Sequence, residues 1–194
     1  MSPGRAAVFL DEDGLLIEDR GLLIAAAEIR ILEGVPRALT RLKAAGFWLV
    51  VVSNKAVVAR GLITEREVDA LHAELGRLLE QAGAPGLDAI YFCPHHPDAD
   101  LPAYRVLCEC RKPRPGLLLR AAQQHQLSLS ASFMVGDRMT DVAAGVRAGC
   151  RTVLVQGPQS QAPAIVTAEP LEDAQPDFTC TSLSEAVDWI LKAR

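Results

Sequence analysis

The stretch Val8-Phe9-Leu10-Asp11-Glu12-Asp13-Gly14 decides the fold of this chain. A short apolar run leads into two aspartates two positions apart, and a glycine follows. Such a run indicates a buried strand, here Ala6–Leu10, and the glycine indicates a turn behind it. One aspartate could attack phosphorus, and the other could act as general acid and base. An ordinary strand-to-turn junction explains the same residues equally well, so the stretch needs support from elsewhere.

Strands and helices alternate along the rest of the chain. Apolar runs predict further strands over 47–52, 87–92, 132–135 and 151–155. Periodic apolar positions and capping residues predict helices over 34–45, 64–82, 115–125 and 141–148, with a last helix from Ser182. Residues 156–180 are interpreted as a loop with a short helix and strand. This alternation predicts an α/β fold, a Rossmann-like three-layer α/β/α arrangement with a parallel sheet.

Bulk properties limit the possible functions. With 194 residues we expect one domain over 1–194. The net charge of −4 argues against nucleic acid or an anionic membrane as partner. No apolar stretch is long enough to span a membrane, and an acid as early as Asp11 argues against a secretory signal. We therefore expect a cytoplasmic monomer that acts on a small molecule.

Several polar side chains end predicted strands, and parallel strands place such ends at one edge of the sheet. Ser53 and Asn54 could donate hydrogen bonds to phosphoryl oxygens, and Asp137 is a suitable oxygen ligand for Mg²⁺. Asp141 is either part of the same site or a helix N-cap. Arg111 and Lys112 could bind phosphate, although a solvated basic turn explains them equally well when they are considered alone.

A cluster of soft ligands interrupts the pattern at about 93–113. Cys93-x-His95 and Cys108-x-Cys110 give four ligands, which is the complete tetrahedral set of a structural Zn²⁺ site. His96 is an alternative fourth ligand. A closed set leaves no open position, so the predicted zinc stabilises the loop and takes no part in chemistry. The remaining cysteines, Cys150 and Cys180, and the histidines His72 and His125 are interpreted as core or surface residues.

These residues together resemble the haloacid-dehalogenase (HAD) type of phosphatase. Asp11-Glu12-Asp13-Gly14, Ser53-Asn54, Lys112 and Gly136-Asp137 with Asp141 look like the four motifs of that family, in order. The cysteine loop is similar to the zinc loop of the branch that holds D-glycero-D-manno-heptose 1,7-bisphosphate phosphatases and histidinol-phosphate phosphatases. The resemblance covers about residues 6–155 and implies a HAD-like fold without a large cap domain.

The resemblance implies a role for each motif residue. Asp11 would be the nucleophile that forms an aspartyl phosphate, and Asp13 the general acid and base. Mg²⁺ would be held by Asp11, the backbone carbonyl of Asp13, and Asp137. The transferring phosphoryl group would be bound by Ser53 and Lys112. Substrate would be bound by Asn54, Lys55, Arg111 and Arg138.

Two features favour the heptose branch. Twelve residues separate His95 from Cys108, and histidinol-phosphate relatives usually have a shorter loop. Ala59-Arg60-Gly61 also matches the heptose branch. The expected reaction is therefore removal of the 7-phosphate of D-glycero-D-manno-heptose 1,7-bisphosphate. The alternatives are a phosphatase for histidinol phosphate or another small phosphoester, and a catalytically weak zinc-stabilised binding protein.

This chain departs from the family pattern at two positions. Relatives commonly carry Arg after the nucleophile and Thr-Asn-Gln-Ser in the second motif, whereas this chain has Glu12 and Ser53-Asn54-Lys55-Ala56. Because the new acid and the new base both fall beside the proposed site, we predict that Glu12 and Lys55 compensate each other in charge as a direct pair. A distance well beyond ~6 Å between the charged groups of Glu12 and Lys55 would exclude this pairing.

Overall fold

A six-stranded parallel sheet forms the centre of the computed structural model, which describes residues 4–157, 171 and 174–194. The strand order is β3-β2-β1-β4-β5-β6, so the strand that carries Asp11 is central. This confirms the α/β class predicted from the sequence. The strands are β1 (Ala7–Leu10), β2 (Trp48–Asn54), β3 (Ala89–Cys93), β4 (Phe133–Gly136), β5 (Arg151–Val155) and β6 (Phe178–Cys180).

Within the described residues, six α-helices pack against the sheet or close its loops, and all but the short second one were predicted. They are α1 (Val35–Ala44), α2 (Ala56–Ala59), α3 (Glu65–Gln81), α4 (Gly116–His125), α5 (Met139–Ala148) and α6 (Leu183–Lys192). Thr64 caps α3 through the predicted capping box with Glu67. Across residues 4–157 the two longest connections are 11–34 and 94–115, and each contains a single three-residue 3-10 helix and no α-helix. In the described part of the chain, none of these helices is both long and apolar enough to cross a membrane.

Alternate residues of each strand point to opposite faces, and this alternation divides the core into two layers. In β1, Val8 and Leu10 pack with α1, α3 and α6, whereas Ala7 and Phe9 pack with α4 and α5. Both faces of the sheet are therefore covered, which is why its central strands read as continuous apolar runs. The result is the predicted three-layer α/β/α arrangement.

The 156–180 segment was predicted to be a loop with a short helix and strand. Its last three residues form β6, which pairs in parallel with β5. Residues 158–170 and 172–173 lie outside the described residues, so the helix expected in this segment stays a prediction.

Strand register brings the polar residues to one edge. Leu10, the last residue of β1, lies beside Val51 of β2 and Val135 of β4, whereas β4 continues to Gly136 and β2 to Asn54. The Asp11 backbone N–H continues the ladder by donating to Val135 O at 3.0 Å. The residues that follow these strands therefore share the carboxyl edge, where ligands bind in sheets of this type.

Gly145 lets α5 pack directly on the sheet. A β-carbon at this position would lie 2.6 Å from Met134 Cβ and 2.6 Å from Thr152 Cγ2, whereas one at Gly76 of α3 would meet nothing within 4 Å. We expect Gly145→Ala to lower the free energy of unfolding by about 1–3 kcal/mol through overpacking. The matched variant Gly76→Ala should raise it by about 0.5–1 kcal/mol through helix propensity. Urea denaturation measures both, and equal effects would contradict the packing argument.

Candidate active site

A cavity of about 670 Å³ lies at the carboxyl edge of the sheet. Residues from all the predicted catalytic motifs line it, together with part of the loop after β1. Those named in the sequence analysis are Asp11, Asp13, Ser53, Asn54, Lys55, Arg60, His96, Arg111, Lys112, Arg138 and Asp141, and the loop adds Asp19, Gly21, Leu22 and Leu23. The fold thus gathers residues that are more than 120 positions apart in the sequence.

Lys112 connects two of the acids. Its Nζ lies 2.7 Å from Asp11 Oδ1 and 2.7 Å from Asp141 Oδ1, and it donates a third bond of 2.7 Å to Val52 O. Burial alone would lower the pKa of Lys112, but Asp11 and Asp141 outweigh burial and raise it. Lys112 is therefore a fixed, charged ammonium group beside Asp11.

Three carboxylates meet without enough cations around them. One oxygen from each of Asp11, Asp137 and Asp141 falls within 4.8 Å of the others. Both Asp137 oxygens are buried, and neither accepts a hydrogen bond from the described residues. Burial, Asp11 and Asp141 raise the pKa of Asp137 to about 8. A buried set of oxygen donors with this excess of negative charge fits a hard divalent cation such as Mg²⁺.

Asp141 takes part in this cluster and also stabilises α5. Its Oδ2 accepts the Arg138 backbone N–H at 3.0 Å. The N-cap position itself belongs to Arg138, and Asp141 lies three residues into the helix. The N-cap alternative for Asp141 is therefore wrong: the side chain bonds back to the N-cap residue from the third helical position, and Asp141 belongs to the acid cluster. Burial, then Asp11, raises the pKa of Asp141 to about 6, although Lys112 opposes this.

The turn after β1 requires glycine at position 14. Gly14 has φ +83°, in the left-handed region that side chains disfavour. A β-carbon there would overlap the Asp137 carboxylate. The backbone of the Asp13–Gly14 turn therefore lies directly against Asp137. The backbone carbonyl of Asp13, a predicted Mg²⁺ ligand, would be needed in this same region.

The predicted pairing of Glu12 with Lys55 is confirmed. Lys55 Nζ lies 2.9 Å from Glu12 Oε1 and 2.7 Å from Asp13 Oδ2. Burial would raise the pKa of Glu12, but Lys55 and His72 lower it to about 2. For Asp13, burial and the charge of Glu12 outweigh Lys55 and raise the pKa to about 6.

His72 is the contact that sequence reasoning missed. Its Nε2 lies 2.9 Å from Glu12 Oε2, and both side chains are buried. The sequence analysis interpreted His72 as a core or surface residue, and it is indeed in the core. A signal was present, because His72 shares the apolar face of α3 with Val68, Leu75 and Leu79, where a polar side chain needs a partner.

The remaining predicted substrate residues differ in how their polar groups are used. Ser53 Oγ is buried and has no hydrogen-bond partner among the described residues, which leaves it available to a ligand. The Asn54 amide is committed to the Lys112 backbone, donating to its O at 3.0 Å and accepting from its N–H at 3.1 Å. Arg111 donates to His95 O at 2.9 Å, and Arg138 pairs with Asp19 at 2.8 Å.

The four predicted soft ligands meet beside the cavity. Cys110 Sγ lies 3.1 Å from Cys93 Sγ, 3.2 Å from Cys108 Sγ and 3.4 Å from His95 Nδ1. None of the five cysteines forms a disulfide. Contacts with Cys93, then with Cys108 and His95, lower the pKa of Cys110 to about 5 despite burial. This donor set fits Zn²⁺.

The other histidine and cysteines lie elsewhere. His96, the alternative ligand, lies outside the Cys/His cluster and lines the cavity. Cys150 and Cys180 are buried in the core, as expected.

Comparison with known proteins gives the family. The HAD-hydrolase-like family model matches residues 109–186. D-glycero-beta-D-manno-heptose-1,7-bisphosphate 7-phosphatase of Yersinia pestis is 38% identical over 100% of this chain and 99% of its own length. The protein of the same name from Escherichia coli (strain K12) is 35% identical over 100% of this chain and 92% of its own. The chain belongs to the HAD-like phosphatase family.

A solved HAD-like phosphatase shares the fold. The D,D-heptose 1,7-bisphosphate phosphatase from B. bronchiseptica, complexed with magnesium and phosphate, has a TM-score of 0.77 and 29% identity, and the match covers 97% of this chain and 99% of that chain. HAD phosphatases are phosphoric monoester hydrolases that use Mg²⁺, and the acid cluster of this chain suits that ion. The Cys/His cluster gives this member of the family a site that could hold zinc.

The buried pair in this HAD-like phosphatase makes a measurable prediction. Lys55→Met should lower the free energy of unfolding by about 3–5 kcal/mol, because it leaves the charge of Glu12 buried beside His72 alone. The matched variant Lys43→Met breaks the partly exposed pair with Asp88 and should cost about 0–1 kcal/mol. Urea denaturation measures the free energy of unfolding of both variants. Similar losses in Lys55→Met and Lys43→Met would contradict the assigned burial of the pair that Lys55 forms with Glu12.

Proposed function

We propose that this chain is a Mg²⁺-dependent sugar-bisphosphate phosphatase that removes the 7-phosphate of D-glycero-D-manno-heptose 1,7-bisphosphate. The proposal rests on one arrangement, in which Lys112 bridges Asp11 and Asp141 in the wall of a cavity that Asp13 also lines, with Asp137 beside them. Full-length similarity to enzymes with that name supports the choice of substrate.

Asp11 is the proposed nucleophile. Its Oδ1 accepts from Lys112 Nζ at 2.7 Å and from the Glu12 N–H at 2.8 Å, which fixes the carboxylate and leaves Oδ2 to attack. Attack of Oδ2 on phosphorus forms an aspartyl phosphate while the bond from phosphorus to the sugar oxygen breaks. Asp13 gives its proton to that leaving oxygen.

The second step releases phosphate. Asp13, now ionised, takes a proton from a water molecule whose oxygen attacks phosphorus. The bond between phosphorus and Asp11 Oδ2 then breaks, and the nucleophile is regenerated. Ser53 and Lys112 bind the phosphoryl oxygens through both steps, since transfer depends chiefly on positioning and charge. Mg²⁺, held by Asp11, the Asp13 carbonyl and Asp137, would supply further positive charge to those oxygens.

Cations around the cavity support a substrate with two phosphates. Beyond Lys112, the lining includes Arg60, Arg111 and Arg138. Arginine suits phosphate because its planar fork can donate two bonds at once. We assign substrate recognition to Arg111 and Arg138. Asn54 and Lys55 act on the substrate indirectly, because Asn54 holds the backbone of Lys112 and Lys55 holds the carboxylate of Asp13.

The proposed zinc holds the loop that carries two of these residues. Cys110, a ligand, directly precedes Arg111 and Lys112 in the sequence. Arg111 is also fixed to the carbonyl of His95, a second ligand, at 2.9 Å. A zinc ion bound by all four residues would therefore keep Arg111 and Lys112 in place without touching substrate.

A substrate panel with Mg²⁺ tests the activity. We expect the highest kcat/KM on one anomer of the heptose bisphosphate, and the names of the relatives favour the β-anomer. Asp11→Asn should abolish turnover, whereas Asp188→Asn, an exposed acid paired with Arg41, should retain it. Greater efficiency on histidinol phosphate would instead identify the single-phosphate alternative. No activity on any phosphoester, with a biological role unaffected by Asp11→Asn, would favour the binding-protein alternative.

Metal analysis tests the zinc site. We expect about one Zn²⁺ per chain, and removal by a chelator should lower Tm because metal binding and loop folding are coupled. Cys110→Ser should lose the metal, whereas Cys150→Ala, at a buried cysteine outside the cluster, should keep it. A chelator-washed protein that holds no zinc and melts at an unchanged temperature would exclude the structural role.

A further inference from the structure

Four buried or partly buried side chains form a continuous row from helix α3 to the cavity. His72 Nε2 lies 2.9 Å from Glu12 Oε2, and Glu12 Oε1 lies 2.9 Å from Lys55 Nζ. Lys55 Nζ then lies 2.7 Å from Asp13 Oδ2. We call this row the His72–Asp13 chain. Lys55 and Asp13 both line the cavity, and Asp13 is the more accessible of the two, with 30% of its side chain exposed against 4% for Lys55.

Glu12 has one partner for each oxygen. Its side chain is 1% exposed, so water cannot replace a lost contact. The backbone around it is also fixed, because the Glu12 carbonyl accepts from the Leu16 N–H at 2.9 Å and the Ile17 N–H at 3.2 Å. Without His72, Oε2 would be a buried, unpaired carboxylate oxygen, and the side chain could respond only by turning toward another donor.

Lys55 depends on Glu12 for its own position. A lysine has a flexible four-carbon stem, so the groups bound to its ammonium decide where the charge lies. Here those groups are Glu12 and Asp13, and the side chain is 4% exposed. Movement of Glu12 would therefore move Lys55 and release the Asp13 oxygen that it holds.

We propose that His72 is a positioning residue for the general acid and base Asp13, acting through Glu12 and Lys55. The inference rests on the proposed function, since it assigns His72 a part in the same reaction. The contact of Asp13 Oδ2 with Lys55 fixes the orientation of a carboxylate that lines the cavity. Proton transfer needs such geometry, and misplacement by about 1 Å can cost about 100-fold in rate.

Packing alone does not explain the residue. The other buried positions on this face of α3 are apolar, and His72 contacts Phe92 with ring centroids 5.5 Å apart. Leucine would fill comparable space without donating to Glu12, whereas glutamine would keep an N–H donor. The pair His72→Leu and His72→Gln thus separates loss of the hydrogen bond from loss of packing.

Kinetics on two substrates tests the proposal. The sugar oxygen of the heptose bisphosphate needs a proton to leave, whereas p-nitrophenolate leaves without one. We expect His72→Leu to lower kcat/KM about 10-fold on the heptose bisphosphate, with KM changed less than about 2-fold, and to lower kcat/KM on p-nitrophenyl phosphate less than about 3-fold. This parameter reports the steps up to the aspartyl phosphate, in which only the sugar oxygen needs a proton, and it excludes the later attack of water, in which Asp13 acts as base for both substrates. His72→Gln should recover most of the loss.

Two controls accompany these variants. His125→Ala removes a histidine that contacts Tyr91 and Trp48 away from the cavity, so it should keep kcat/KM on both substrates. Leu75→Ala weakens the packing of α3 and should lower Tm without the difference between substrates. Unchanged kcat/KM in His72→Leu, equal losses of kcat/KM on both substrates, or no recovery with His72→Gln would each overturn the proposal.

A crystal structure of His72→Leu gives a result that does not depend on activity. We expect the distance between Lys55 Nζ and Asp13 Oδ2 to increase from 2.7 Å to beyond about 4 Å, the limit of an ion pair. Retention of that contact would overturn the positioning role. If the native protein hydrolyses neither substrate, the proposed function fails, and this distance still decides whether His72 holds Asp13.

Discussion

Two buried lysines hold together an edge of the sheet that carries more negative charge than they can balance. Lys112 pairs with Asp11 and Asp141, and Lys55 pairs with Glu12 and Asp13. Asp137 has no such partner among the described residues; Arg138 Nε is 3.9 Å away. Burying charge is costly unless it is compensated, so this edge is stable only with its cations in place. The remaining excess of negative charge is what suits the site to a divalent cation and explains why phosphate chemistry belongs at this edge.

The loop that carries the Cys/His cluster supplies one of those lysines, Lys112, and this links the folding of the loop to the site. Lys112 lies two residues after Cys110, and the Asn54 amide fixes its backbone to the end of β2. On the other side, Gly116 allows α4 to begin tight against the loop, because a β-carbon there would overlap Glu109 O. The loop is thus held between β2, α4 and the Cys/His cluster. A change in metal occupancy would therefore reach the proposed catalytic residues through Lys112 and Arg111.

On the other side of the site, Lys55 neutralises the charge of Glu12. An acid directly after the proposed nucleophile would be unfavourable in a pocket for phosphate. The Glu12 side chain nevertheless points away from the cavity and into the core. There, His72 and Lys55 each contact one of its two carboxylate oxygens. The acid is neutralised inside the core, and the lysine that neutralises it also reaches Asp13. The departure from the family pattern is therefore compensated locally, while the acids at the cavity are retained.

The sequence by itself determined the fold class, most elements and nearly all candidate site residues. Buried parallel strands read as apolar runs, and Asp11, Asp13, Ser53 and Asp137 follow such runs directly, so local pattern was enough. It also predicted the Glu12–Lys55 pair, because an added acid and an added base near one site require each other. Only the tertiary structure decided that His72 completes this pair, that Asn54 holds Lys112 and that Asp141 joins Lys112 while bonding to the N-cap residue of α5. Those contacts depend on side-chain directions across separate elements, and the spacing of residues along a chain does not specify them.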